Sequence, residues 1–149
     1  MFGDGKGYAV GSIEGRCGIK NYDTSRTDLN RDADFCFKCH REENKNTGRA
    51  DVYSVNGITF NEQYNTFATY GSDGVIVIWN KDTKSKYRAS KKFPRAFTAS
   101  DFTCDGKLLA YAIGYDWAKG FEGQRGQQAM QHIFIRSPKI DEEVFKRKK

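Results

Sequence analysis

Apolar positions in this sequence are grouped in short runs and are rarely spaced as on one face of a helix. Short runs rich in Val, Ile, Phe, Tyr and Thr recur between turns of Gly, Asp and Asn, and few stretches repeat apolar residues at helical spacing. The clearest hairpin covers residues 66–80, where two such runs flank Asp73-Gly74, a pair that supplies the positive φ angles of a tight turn. The pattern therefore predicts an all-β protein.

The same strand–turn–strand unit recurs along the chain. An earlier copy covers residues 7–23, and a third begins at 107–115 and resumes at 131–137 after an insertion rich in Gly and Gln. Further strands are predicted between the copies, which gives ten in all; these lie at 35–39, 55–60, 84–90 and 96–103. Repeated four-stranded antiparallel units are typical of a β-propeller, because one blade alone cannot cover both of its faces.

The repeats predict that residues 1–149 form about three blades of a propeller. The predicted parts are an incomplete blade at 7–40, a complete blade at 52–93, an incomplete last blade at 96–137 and a charged tail at 138–149. A closed ring needs about 4 to 8 blades, so we expect open strand edges at both ends, and such edges favour a homo-oligomer. The polar segments 21–34 and 41–51 are expected to be surface loops.

Composition limits the class of protein further. The chain has 149 residues, of which 38% are hydrophobic and 14% aromatic, which is more apolar material than a disordered chain carries. No apolar run approaches the length of a membrane-spanning helix, so no membrane partner is expected. A net charge of +6 favours acidic partners. The first residues show no secretory or mitochondrial signal, so we expect a cytosolic or nuclear location and reduced cysteines.

Four polar residues in the middle unit have the spacing of a structural hydrogen-bond set. His40, Thr69, Asp73 and Trp79 fall where a WD repeat places its His, Ser or Thr, Asp and Trp. A chain of hydrogen bonds from the indole N–H through the hydroxyl to His and Asp would satisfy all four groups and offset the cost of burying them. In the first unit Lys20 stands at the Trp position, so that unit lacks the set.

The sequence also resembles one family of WD-repeat proteins. The stretches GSIEGRCGIKNYD, FCFKCHR, VNGITFNEQYNTFATYGSDG and YAIGYDWAKG resemble the messenger-RNA export factors of the nuclear pore, and the match covers most of residues 7–137. A sister family, the spindle-checkpoint propellers, shares the first three stretches, whereas residues 115–120 favour the export branch. The resemblance implies a seven-bladed propeller, of which this chain would be about the last three blades.

The resemblance further implies a function. It predicts a non-catalytic adaptor in mRNA export, located in the nucleus and at the nuclear pore complex and shuttling to the cytoplasm. The alternative that it leaves open is a checkpoint-type scaffold that binds kinase or scaffold peptide segments. By resemblance, Arg16 and Lys38 would hold a paired-glutamate segment of a nucleoporin, and an Arg fork beside a turn suits a carboxylate. Composition alone would instead favour solvated charges beside a turn, and it is the resemblance that favours a binding role.

Single-stranded RNA is the second predicted ligand. Residues 84–95 contain no acidic residue, and Tyr87 and Phe93 lie between their cations. The cations are Lys84, Lys86, Arg88, Lys91, Lys92 and Arg95. Such a surface neutralises phosphates and stacks unpaired bases without sequence preference. The alternative is a solvated outer strand, because edge strands commonly use Lys to deter pairing.

Catalytic and cofactor sites are not expected. Cys36, Cys39 and His40 match the C-x-x-C-H pattern of covalent haem attachment, but that chemistry belongs to oxidising compartments. A structural zinc site needs four ligands, and a second Cys/His pair at suitable spacing is missing from the sequence. The chain contains no phosphate-binding loop, nucleophile elbow or H-E-x-x-H motif. We therefore expect no cofactor, no metal and no catalytic residue.

Overall fold

The computed structural model describes residues 1–22, 34–124 and 131–137, and these ranges consist largely of β-strands. Twelve strands and one short helix lie within them. The strands are β1 Gly7–Gly11, β2 Arg16–Asn21, β3 Phe35–Lys38, β4 Arg41–Asn44, β5 Arg49–Val52, β6 Val55–Asn61, β7 Thr66–Gly71, β8 Ile76–Asn80, β9 Ser85–Ala89, β10 Ala96–Phe102, β11 Leu109–Gly114 and β12 His132–Arg136; the helix is α1 Gly120–Gln124. All of the sheets are antiparallel, and the all-β prediction is confirmed.

The strands form four sheets of consecutive neighbours. Their orders are β1-β2-β3, β4-β5, β6-β7-β8-β9 and β10-β11-β12. The four-stranded sheet is central, and the predicted hairpin over 66–80 is its β7–β8 pair. Gly74 closes that hairpin with a φ of 72°, and a Cβ there would lie 2.3 Å from the carbonyl oxygen of Phe93. The turn therefore requires glycine both for its backbone angle and for its space.

Both faces of the central sheet are covered, and β7 supplies side chains to both. Phe67 packs toward the β1–β3 sheet with Cys17 and Ile19, whereas Ala68 and Tyr70 pack toward the β10–β12 sheet. Every residue of β7 is buried, including the polar Thr66 and Thr69, so the strand shows no alternation of buried and exposed positions. The two clusters are Phe2, Cys17, Ile19, Cys39 and Phe67 on one side, and Ala68, Tyr70, Ile76, Phe97, Leu109, Tyr111 and Ile113 on the other.

The prediction of a loop at 41–51 is wrong. These residues belong to the hairpin β4–β5, in which Arg41 pairs with Val52 and Asn44 with Arg49. The Asn44 side chain accepts hydrogen bonds from the amides of Asn46 and Thr47 at its turn. Because the ribbon is largely exposed, it needs no apolar face, and hydrophobic alternation could not reveal it. Of the other predicted loop, residues 23–33 lie outside the described residues, as does the charged tail at 138–149.

No element in the part of the chain that the structure describes covers the outer face of the β1–β3 sheet or of the β10–β12 sheet. On the β1–β3 sheet, Val10 and Cys36 both lie opposite Gly18, and Val10 is 52% exposed. On the β10–β12 sheet, Ile133 and Ile135 are 80% and 72% exposed. No helix within the described ranges has the length and hydrophobicity needed to cross a membrane.

Candidate functional site

The four predicted WD-repeat residues are brought together by the structure. Trp79 Nε1 donates to Thr69 Oγ1 at 2.9 Å, and Thr69 Oγ1 lies 2.8 Å from His40 Nε2. His40 Nδ1 lies 2.9 Å from both carboxylate oxygens of Asp73. Asp73 also accepts the amide of Val75 at 3.1 Å, which fixes the carboxylate within the β7–β8 turn. We name these four residues the hydrogen-bond tetrad.

The directions of the bonds in the tetrad follow from what each atom can donate. A carboxylate only accepts, so the proton of neutral His40 sits on Nδ1 and faces Asp73. His40 Nε2 then accepts the single hydroxyl proton of Thr69, whose oxygen accepts the indole N–H of Trp79. In this arrangement every polar group has a partner, although the Thr69 side chain is fully buried and His40 is only 4% exposed. The tetrad ties the segment after β3 to the central sheet.

The C-x-x-C-H motif is divided between different environments. Cys36 is exposed, whereas Cys39 is buried, and burial raises the pKa of the Cys39 thiol to about 12. Both ring nitrogens of His40 bind Asp73 or Thr69 and so are not free to coordinate iron. Within the described ranges no three His, Cys, Asp or Glu side chains are grouped as metal ligands. The geometry therefore assigns His40 a structural position.

Arg16 and Lys38 are direct cross-strand partners. Arg16 begins β2, Lys38 ends β3, and the register pairs them across the antiparallel ladder. Paired residues lie on one face with Cβ atoms about 5 Å apart, so two positive side chains stand together there. Both residues are exposed, and neither has an ion pair among the described residues. On the same face, Lys20 is instead held by Asp34 at 3.0 Å.

A tight turn sets the position of Arg16. Gly15 has a φ of 61°, and a Cβ there would lie 2.7 Å from the carbonyl oxygen of Cys39. The Gly15 carbonyl accepts the amide of Cys39 at 2.9 Å, and Arg41 donates to the Glu14 carbonyl at 2.8 Å. The turn before Arg16 is thus bound to the segment after Lys38, so the backbones that carry the two cations are fixed to each other.

The structure separates the six cations predicted to bind RNA. Lys84 Nζ lies 5.2 Å above the ring of Phe35, and Lys92 forms an ion pair with Glu42 at 2.5 Å. In β9, Arg88 pairs with Ile78 and Lys86 with Trp79, with a register shift between the two pairs. Lys91 and Arg95 lie with Lys92 in the connection between β9 and β10. The cations therefore surround the outer strand and do not form one continuous face.

Sequence reasoning missed a polar network that anchors the segment 115–120. Asp116 accepts hydrogen bonds from Ser72 and from Asn56, which belong to the central sheet and its β7–β8 turn. Burial opposes ionisation of Asp116, but the hydrogen bonds from Ser72, the Ala118 amide and Asn56 outweigh it, so its pKa lies below the ordinary value of 3.8. A single Asp in a loop gives no pattern that predicts such partners.

Curated relatives share this sequence over most of its length. The chain is 41% identical to Protein RAE1 of Arabidopsis thaliana over 141 residues, which are 95% of this chain and 38% of that protein. It is 44% identical over 123 residues to the Poly(A)+ RNA export protein of Schizosaccharomyces pombe, covering 83% of this chain and 33% of that protein. This chain is a homologue of the mRNA export factors. No family model matches it.

This export-factor homologue spans about a third of the length of those relatives. Its fold matches part of a chain in the crystal structure of a mitotic checkpoint complex, with a TM-score of 0.55, 16% identity, and coverage of 74% of this chain and 28% of that one. The β-propeller domain of Myceliophteria thermophila Cps50 (Swd1) matches with a TM-score of 0.57, 11% identity, and coverage of 76% and 29%. At these identities the likeness shows the fold alone, and it confirms part of a WD-repeat propeller.

Proposed function

We propose that this chain serves as a non-catalytic adaptor in mRNA export, and that Arg16 and Lys38 hold an acidic segment of a nucleoporin. The observation that carries the proposal is the pairing of two exposed cations directly across β2 and β3. Like charges directly opposite each other destabilise a sheet, so the pair is costly by itself. A ligand that brings two carboxylates to this face relieves the repulsion.

The two cations suit a paired-glutamate segment in different ways. The planar guanidinium of Arg16 offers two parallel N–H donors to one carboxylate, and the Lys38 ammonium binds a second carboxylate as a point charge. The next pair along the same face is Gly18 opposite Cys36, so the surface beside the two cations carries small side chains. An extended acidic segment then lies across β2 and β3 with its backbone close to the sheet.

The proposal extends to RNA and to location. The cations around β9 attract phosphates from several directions, which suits sequence-tolerant binding of single-stranded RNA better than docking of one rigid ligand. Relatives of this chain carry names that describe export of mRNA and of poly(A)+ RNA. These names support the proposal that the protein acts at the nuclear pore, in the nucleus and in transit to the cytoplasm. A plot of log affinity for oligouridylate against log salt concentration should slope steeply downward, and a flat plot would remove the RNA role.

Charge reversal at the cation pair tests the nucleoporin role. Calorimetry with a peptide that contains two adjacent glutamates should show about a tenfold to hundredfold loss of affinity for Arg16→Glu and for Lys38→Glu, because charge-assisted hydrogen bonds contribute about 1.5–3 kcal/mol each. Lys45→Glu makes the same charge change at an exposed position of the β4–β5 turn and serves as the control. Equal losses in all three variants, or no loss at Arg16, would contradict the proposal.

Self-association through the open end sheets is part of the same proposal. Ile133 and Ile135 lie opposite Ala112 and Ala110, so the outer face of the β10–β12 sheet presents aliphatic side chains to solvent. Light scattering of the 149-residue chain should therefore give a mass above the 17.0 kDa of a monomer, and Ile133→Glu should reduce it. A parent protein that stays monomeric at high concentration would show that these faces do not drive association.

A further inference from the structure

A narrow apolar cleft lies between the central sheet and the β10–β12 sheet, on the opposite side of the central sheet from Arg16 and Lys38. Its volume is about 70 Å³, which is room for about two water molecules or one small aliphatic side chain. Ile78 and Phe93 line it from one side and Leu109 and Tyr111 from the other. Tyr111 also packs against Phe97 and Phe134, with ring centroids 5.4 Å away in each case, so three aromatic rings form this wall.

Two arginines line the cleft from different sheets. Arg88 comes from β9 and Arg136 from the end of β12, and both are exposed. Neither has an ion pair among the described residues. The register shift around Tyr87 places Arg88 opposite Ile78, on the face of the cleft, whereas Lys86 lies opposite Trp79, whose ring packs against Phe37 toward the other core.

The lining decides which ligand fits. Apart from the arginines, Ser90 and Tyr111 supply its polar side-chain atoms, and Ser90 Oγ already accepts the Ile76 amide and donates to the Lys91 carbonyl. A nucleobase in the cleft would leave most of its polar edge without partners, which is costly. An aliphatic side chain makes no such demand and gains from leaving water. The arginines, in turn, favour carboxylates beside it.

We propose that this cleft binds an acidic peptide segment that carries one aliphatic side chain among its carboxylates. The aliphatic side chain enters between Ile78 and Leu109, and the flanking carboxylates bind Arg88 and Arg136. The site is separate from the Arg16–Lys38 pair and goes beyond the function proposed above. It gives the chain a second peptide site, which recognises one apolar side chain in addition to the negative charges beside it.

A matched pair of peptides isolates the cleft from general charge attraction. The probes are the fluorescent peptides Glu-Glu-Leu-Glu-Glu and Glu-Glu-Ser-Glu-Glu, which have the same charge and differ in one side chain. Anisotropy titration of the full chain should show about tenfold tighter binding of the Leu peptide, because burial of an aliphatic side chain in the cleft favours that peptide alone. Equal affinity for the two peptides would overturn the proposal.

Variants assign the preference to the cleft. Arg88→Glu should reduce affinity for the Leu peptide about tenfold or more, whereas Lys86→Glu, the same charge change on the other face of β9, should have a much smaller effect. Ile78→Phe, which fills the cleft, should abolish the difference between the peptides, with folding checked by circular dichroism. Both peptides contain paired glutamates that the Arg16–Lys38 pair would also bind, so all titrations are repeated in an Arg16→Glu background. The preference for the Leu peptide should persist in that background, so failure of the nucleoporin site and failure of this one are distinguishable. If the cleft variants instead remove oligouridylate binding and leave peptide binding unchanged, the cleft is an RNA site and the proposal is wrong.

Discussion

Replacing Thr69 by Val tests whether the hydrogen-bond tetrad stabilises the fold. The substitution keeps the shape of the side chain but removes the oxygen that joins Trp79 Nε1 at 2.9 Å and His40 Nε2 at 2.8 Å. Each unpaired buried group costs about 1–3 kcal/mol, and the added methyl group returns about 1 kcal/mol. With two groups left without a partner, we therefore expect the free energy of unfolding to fall by about 3 kcal/mol, or about 9 °C in Tm for a chain of this length.

The same strand offers a matched control. Thr66 is 5% exposed, and its Oγ1 is buried with no hydrogen-bond partner in the part of the chain that the structure describes. Thr66→Val should therefore be neutral or stabilising, because it removes an unsatisfied hydroxyl and adds apolar surface. Urea unfolding followed by circular dichroism measures both variants. If Thr69→Val costs no more than Thr66→Val, with equal m-values, the tetrad contributes nothing and the reasoning is refuted.

Two further predictions concern thiol reactivity and acid stability. At pH 8 a thiol reagent should label the exposed Cys36 and Cys104 quickly and the buried Cys17 and Cys39 slowly. The reason is that burial raises the pKa of the Cys17 and Cys39 thiols to about 12, and four equally reactive thiols would contradict this. Asp116→Asn should lower stability near neutral pH by up to about 1 kcal/mol. Because the pKa of Asp116 is depressed, its contribution is present above the ordinary value of 3.8 and is lost as pH falls through the lower pKa of the folded protein. The difference in urea midpoint between parent and variant should therefore shrink as pH falls below 3.8, and a constant difference would be inconsistent.

Features fixed by neighbouring residues were predictable from the sequence. The β7–β8 hairpin depends on an Asp-Gly turn between two apolar runs, and all of this information lies within 15 residues of sequence. The β4–β5 hairpin was missed because its strands are polar and largely exposed, so no apolar alternation marks them. Hydrophobic patterning detects a strand through the face that the strand buries, so a two-stranded ribbon that is exposed on both faces gives no signal.

Features that depend on register between distant strands were not predictable. The six cations at 84–95 form one basic stripe in the sequence, but the register shift at Tyr87 sends Lys86 and Arg88 to opposite faces of β9. The cleft needs Arg136 as well, which lies 48 positions after Arg88 and reaches it only through the packing of two sheets. A bulge is a property of the pairing between two strands and not of one strand, so the sequence shows the charges but not how they are divided between the two faces of β9.

The segment that follows β3 links the stability of the fold to the proposed acidic-peptide site. Lys38 ends the strand, and two residues later His40 bonds into the central sheet through the tetrad. Arg41 then binds the carbonyl of the turn before Arg16 at 2.8 Å. The backbones of both cations are therefore positioned by contacts that touch no ligand. Thr69→Val should consequently weaken acidic-peptide binding only as far as it populates the unfolded chain. Arg16→Glu should instead weaken binding about tenfold to hundredfold without lowering the urea midpoint, because it replaces a like-charge pair across the ladder with an opposite-charge pair.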